Sequence, residues 1–237
     1  TNTDNVSASA ATGSIYITED DAAVVTNVAV TVTEFNSDAT TTDITDAAQS
    51  DLTTSTNGNI VLVATAGNIT LNDGSDVDQT SVTANGSGNT LIDALAGSIT
   101  ANADILSDTG HITITANDDI EFTANVDVTT STPGTISIDA ETGTLTMDGT
   151  ANVEATDSSA RLNAALDVIV GNVTATNVSI VSGEDIVNAT GSTKNVTATN
   201  LRLAADGSIG ASDRPVPTNI ANVRPTPTTS THNLTQR

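Results

Sequence analysis

Three acidic pairs, Asp20-Asp21, Asp118-Asp119 and Glu184-Asp185, and one acidic loop, Asp73-Gly-Ser-Asp-Val-Asp78, are where this chain gathers side chains capable of chemistry. Paired carboxylates suit acid–base work such as glycoside cleavage, which needs two groups at a defined separation. Each pair, however, stands just before a run with strand character, where Asp commonly closes a turn. Turn closure is the preferred reading. Asp73, Asp76 and Asp78 are calcium candidates, since that ion takes carboxylate oxygens. Their spacing matches neither an EF-hand loop nor the Gly-Gly-x-Gly-x-Asp nonapeptide, and a solvated acidic loop is the plainer reading. His111 follows a turn Gly, His232 lies near the C-terminus, and Lys194 is the only lysine. No nucleophile stands at a suggestive distance from any of them. The chain is therefore read as a non-enzyme with no catalytic residue, and calcium is the one cofactor candidate.

The composition restricts partners further. Of 237 residues, 29 are acidic and 6 basic, a formal charge of −23. Such a surface repels nucleic acid phosphates and anionic membranes, and both are excluded as partners. No apolar run approaches the roughly 20 residues that span a bilayer. Cysteine is absent, which removes disulfide and thiol chemistry and is compatible with an oxidising exterior. Tyr16, Phe35 and Phe122 are too few and scattered for a sugar-stacking platform, and Phe122 reads as core. The chain opens with Thr1, so the numbering is expected to begin at a processed terminus or inside a larger gene product.

The elements that position these residues come from a repeat. Gly58-Asn-Ile-Val-Leu, Gly88-Asn-Thr-Leu-Ile, Gly110-His-Ile-Thr-Ile and Gly134-Thr-Ile-Ser-Ile are variants of one phrase, continued more loosely at Ala160, Asn177 and Asn200. A second phrase follows each, as at Gly67-Asn-Ile-Thr-Leu, Gly97-Ser-Ile and Gly143-Thr-Leu, and then a third, as at Val82-Thr-Ala and Val153-Glu-Ala. The mean spacing from Ile60 to Leu201 is about 23 residues. Each phrase alternates apolar and polar residues, the period of a half-buried strand, and no helical stripe intervenes.

This pattern predicts an all-β, right-handed parallel β-helix (a β-solenoid) over 1–210, with roughly 23 residues and three short strands per coil. The expected inward columns are Ile112, Ile136 and Leu162; Ile120, Leu145 and Val168; and Val126, Val153 and Val173. Ala116, Ala140 and Ala155 are expected near a corner. Gly, Asn and Asp before the phrases are expected to supply left-handed or turn geometry. The register of residues 24–56 does not align. Residues 211–237, with Arg214-Pro-Val-Pro217 and Arg224-Pro-Thr-Pro227, read as an extended Pro/Thr-rich tail or docking arm.

Ala11-Thr-Gly-Ser-Ile-Tyr-Ile-Thr-Glu19 and Leu203-Ala-Ala-Asp-Gly-Ser-Ile-Gly210, the latter followed by Pro215 and Pro217, resemble motifs of the giant repetitive bacterial surface proteins similar to filamentous haemagglutinin. The resemblance covers essentially the whole chain. It implies a secreted, extracellular or cell-surface location and a scaffold or adhesive role, and it supplies no catalytic residues.

Neither end offers a capping helix, and open strand edges pair with whatever edge they meet. The function expected is a structural subunit of an extracellular filament, with copies of itself head to tail as partners. Ile15, Tyr16 and Ile17 are expected on the receiving face. Ile209, Pro215, Val216, Pro217, Ile220 and Val223 are expected on the donating face. A passive stalk or adhesive segment of a giant adhesin, contacting cell-surface glycans, is the alternative. A β-helix polysaccharide-degrading enzyme would need a carboxylate cluster on adjacent coils. Sequons at Asn5, Asn68, Asn85, Asn172, Asn177, Asn188, Asn195 and Asn233 are glycosylation candidates, in a number that this composition generates by chance.

Overall fold

A computed structural model describes residues 4–76, 78–189, 195–225 and 234–236. Lys194, His232 and Asn233 lie outside the described residues. Among those described there is no helix, and hence none long and apolar enough to cross a membrane. The β-branched, alternating phrases form short strands, and parallel pairing stacks them into a solenoid with three faces.

One face is an eight-stranded sheet of β1 (Asn5–Val6), β4 (Ala23–Val25), β9 (Ile69–Leu71), β12 (Ile99–Ala101), β15 (Ile120–Phe122), β18 (Leu145–Met147), β20 (Val168–Val170) and β22 (Ile186–Asn188). A second face runs through β2 (Ala8–Ala10), β7 (Leu52–Thr54), β10 (Thr80–Ala84), β13 (Asp104–Ser107) and β16 (Asp127–Ser131). The third runs through β3 (Ile15–Glu19), β8 (Ile60–Ala64), β11 (Thr90–Ala94), β14 (Ile112–Ala116) and β17 (Ile136–Ala140). The second and third faces fuse where their corner shortens. β19 (Asn152–Ala164), β21 (Asn172–Ser182) and β23 (Val196–Ala205) each cross both faces as one bent strand.

Register fixes the core. Ile15, Ile60, Thr90, Ile112, Ile136, Ala160, Val178 and Leu201 are successive partners on the third face. The steps between them are 45, 30, 22, 24, 24, 18 and 23 residues. The column two residues on, from Leu62 through Ile92, Ile114, Ile138, Leu162 and Ile180, is fully buried. Each such side chain contributes about 1.5–3 kcal/mol of burial.

The expected columns are correct for Ile120, Leu145 and Val168. Ile112 with Ile136, Ala116 with Ala140 and Val153 with Val173 also pair as expected, while the remaining members slip by two residues or more. Leu162 pairs with Ile138 rather than Ile136, Val128 rather than Val126 stacks on Val153, and Ala164 rather than Ala155 follows Ala140. Phe122 is core, paired between Ala101 and Met147.

Gly58, Gly88, Gly110 and Gly134 precede successive third-face strands, for a reason other than the left-handed geometry expected. A Cβ on any of them would collide with the carbonyl oxygen of the glycine one coil earlier, starting from Gly13. Among the glycines, positive φ values belong to Gly67, which opens a second phrase as expected, and to Gly86 and Gly210.

The segment without register is explained by an excursion. After β4 the chain leaves the coil as an antiparallel hairpin, β5 (Thr31–Phe35) and β6 (Thr41–Thr45), exposed throughout, and returns at β7. Beyond residue 210, where a separate arm is expected, β24 (Val216–Pro225) pairs in parallel with β23, and β25 (Leu234–Gln236) pairs with β24.

Candidate functional site

The side-chain cluster with most chemistry lies at the corner before β7 and β10. Asp51 takes a left-handed backbone, φ 63°, directly before Leu52, and its main-chain oxygen accepts the N–H of Ala8 at 2.8 Å. Its side chain is 2% exposed. One coil on, residues 72–76 fold over it. Gly74 allows this approach, because a Cβ there would collide with Ser50, and the Ser75 N–H donates to Ser50 Oγ at 2.9 Å.

One carboxylate oxygen from each of Asp51, Asp76 and Asp78 lies within 4.8 Å of the other two. Burial, and then the charges of Asp76, Asp78 and Asp73, push the Asp51 carboxyl up to about 7, against a bond from the Gly74 N–H. Asp51 Oδ1 and Asp73 Oδ1 are both buried without a hydrogen-bond partner. Asp78 Oδ1 accepts the N–H and hydroxyl of Thr80, each at 2.9 Å, which orients that carboxylate. Of the sequence's candidates, Asp76 and Asp78 thus converge, Asp73 stands beside them, and Asp51 is the member that sequence reasoning missed.

Asp119 and Asp185, one member each of two acid pairs, and Asp167 tie adjacent coils together at their corners. Asp119 Oδ1 accepts the Thr144 N–H at 2.8 Å, Asp167 Oδ1 accepts the Asp185 N–H at 2.9 Å, and Asp185 Oδ1 accepts the Ser208 N–H. Those bonds reach the next coil instead of closing the local turn that was expected.

At the N-terminal end, β3 closes the fifteen-stranded sheet with β8 as its strand partner. Ile15 is buried, Ile17 packs partly against the core, and Tyr16 is 69% exposed. At the other end, β22 closes the eight-stranded sheet, and Ile209 bridges to Ile186. Val216, Pro217 and Ile220, expected to be donated to a neighbour, are buried within the chain's own coil. That is a correction: the parallel register of β24 on β23 sets Ile220 on the buried Ala198, and Val216 and Pro217 pair with Leu234 and Thr235 of β25. Pro215 is half-buried, and its carbonyl accepts from Asn188 Nδ2 at 3.0 Å. Val223 pairs with Leu201.

The sequons separate likewise. Asn5, Asn68 and Asn177 are exposed. Asn85, Asn172 and Asn188 commit Nδ2 to backbone carbonyls. Asn195 is 1% exposed with Nδ2 bonded to the carbonyls of Val170 and Gly171, so the folded coil leaves a glycan no room there. A shallow groove of about 730 Å³ is lined by the column of Ile136, Ala160, Val178 and Leu201 and by the neighbouring column that carries Arg161 and Arg202. Arg161 pairs with Asp139 at 3.2 Å and Arg202 donates to Ser179 Oγ at 3.3 Å.

Compared with known proteins, the chain matches no family model, no curated protein and no solved structure.

Proposed function

We propose that this chain is a structural subunit of an extracellular filament, stacked head to tail through the ends of a right-handed β-solenoid. The observation that carries the reading is the way both ends of the coil finish on strands, β1 and β3 at one end, β22, β24 and β25 at the other. Strand ends invite another strand, and the Ile and Val columns beneath them would continue across a junction. A contact of this kind, made between unlike ends, propagates instead of closing. Because the side chains of the expected arm are used internally, the junction is one of strand edges. Right-handed winding is the sense that parallel strand–crossover–strand connections take. Steps of 18 to 24 residues between most successive partners fit a coil of about 23. The resemblance to haemagglutinin-like surface proteins supports a bacterial cell-surface setting.

The test is negative-stain electron microscopy of the chain beside Tyr16→Pro. Ile15 donates its N–H toward β8, to Asn59 O, so Tyr16, next along, directs its own away from β8. Proline there removes a donor from the outer edge while keeping strand geometry. Fibres with an axial repeat of about 43 Å, from nine rungs at about 4.8 Å, are expected from the intact chain and not from the variant. Salt should promote them by screening a charge of −23. Monodisperse rods at every concentration and ionic strength would sink the filament.

A second reading, a stalk segment of a giant adhesin, is favoured by the β5–β6 hairpin. It projects from the shaft with Val32, Phe35 and Ile44 at 58%, 74% and 45% exposure. Such a side arm suits contact with a partner more than shaft stability.

A further inference from the structure

We propose that Asp51, Asp76 and Asp78 bind a calcium ion that pins Asp76 and Asp78, with the residues 72–75 before them, to the coil beneath. Two independent observations converge on this. The first is the geometry: three carboxylate oxygens within 4.8 Å of one another. Oxygens on opposite sides of a calcium ion, each about 2.4 Å from it, stand about 4.8 Å apart. The second is Asp51 itself, 2% exposed, with Oδ1 buried and without a hydrogen-bond partner beside two further carboxylates. A carboxylate buried with one oxygen unsatisfied is expensive, even with the Gly74 N–H on the group, and two more acids make it worse. A second unpartnered buried oxygen, Asp73 Oδ1, adds to the same deficit. Among the described residues the ion pair formed is Arg161–Asp139, so no basic side chain neutralises this corner. A cation resolves all of these together.

The donors are oxygens only, which selects a hard cation, and an exposed loop supplies two of the three, which favours the adaptable shell of calcium over the strict octahedron of magnesium. Water fills the remaining positions on the exposed side. The Asp78 oxygen that Thr80 does not hold is the one free for the ion. The site spans two coils, β7 and β10, and a bound ion would therefore tie the loop to the rung on which the hairpin returns.

The experiment is calcium titration calorimetry of the full chain after chelator treatment, with thermal unfolding in parallel. One calcium ion per chain is expected, with a rise in Tm on saturation. Asp76→Asn, on the exposed loop, should weaken binding about tenfold or more, since ligand charge count sets affinity. Asp51→Asn should abolish binding, and in chelator it should unfold no earlier than the parent chain, because it removes a buried unpaired charge. Asp38→Asn, on the hairpin, should bind like the parent. No calcium binding, equal binding by Asp51→Asn and Asp76→Asn, or magnesium binding as tightly as calcium would each overturn the assignment.

Discussion

The Oδ1 atom of Asn59 accepts the backbone N–H of Asn89, one coil further along, at 2.9 Å. The step repeats up the same corner. Ser14 Oγ takes the N–H of Asn59 at 2.9 Å, Asn89 Oδ1 takes that of His111 at 2.8 Å, and His111 Nδ1 takes that of Thr135 at 3.1 Å. At each turn a side chain on one coil satisfies a backbone donor on the next. His111 stands in for an asparagine, in the tautomer that leaves Nδ1 free to accept.

His111→Asn should therefore preserve stability, while His111→Ala should cost about 1 kcal/mol, the net worth of one such bond. Urea unfolding of both variants checks this, and equal losses would show that the ladder bond is not what His111 provides.

Gly110→Ala should destabilise by about 1–3 kcal/mol through overpacking, because its Cβ meets the Gly88 carbonyl oxygen. Gly13→Ala belongs to the same series but has nothing within 4 Å of its Cβ. It should stay within about 0.5 kcal/mol of the parent. The contrast separates close approach from a loss of backbone freedom, which would affect both alike.

Ile138→Ala, at the middle of the column between Ile114 and Leu162, should cost about 2–5 kcal/mol, and Ile138→Val about 0.5–1.5. Phe35→Ala, on the exposed hairpin, should leave unfolding unchanged within about 0.5 kcal/mol. Denaturant midpoints of the three variants give the comparison.

Asp93 on β11 and Asp127 on β16 both sit above the ordinary aspartate value. Burial is the main cause in each, with Glu141 adding to Asp93; for Asp127, a bond from Asn152 opposes the rise and Glu154 adds to it. The folded chain therefore holds these protons more tightly than the unfolded one. Their stabilisation is complete below about pH 4 and is lost as pH rises through the raised values. Thermal midpoints should fall over that interval, and Asp93→Asn and Asp127→Asn should each flatten the fall. An unchanged slope in both variants would refute the linkage.

Strand phase was legible in the sequence because alternation marks which residues face inward. The pairing partner was less so. With a period of two, a slip of two residues keeps every inward side chain inward, so nothing in the apolar pattern separates Ile136 from Ile138 as the partner of Leu162. Corner length decides it, and that length shrinks from Thr54–Ile60 to Ala175–Asn177 along the chain. The acidic corner was half legible. Asp76 and Asp78 advertise themselves in one loop, while Asp51 lies 25 residues before Asp76 and behind a hairpin that hides its register. The Ser-Asp pair ahead of Leu52 was the available signal, and only the pairing of β7 with β10 gives it meaning.

Ile15 pairs directly with Ile60 although 45 residues separate them, whereas Ile112 reaches Ile136 in 24. The difference leaves the stacked strands undisturbed, since the added chain emerges at a corner and returns to the same rung. Length along the sequence and height along the shaft are therefore independent quantities in this molecule. Corners can gain or lose whole hairpins over evolutionary time while the shaft stays the same, which makes the region after Val25 a natural point for diversifying, or for grafting, a projecting peptide.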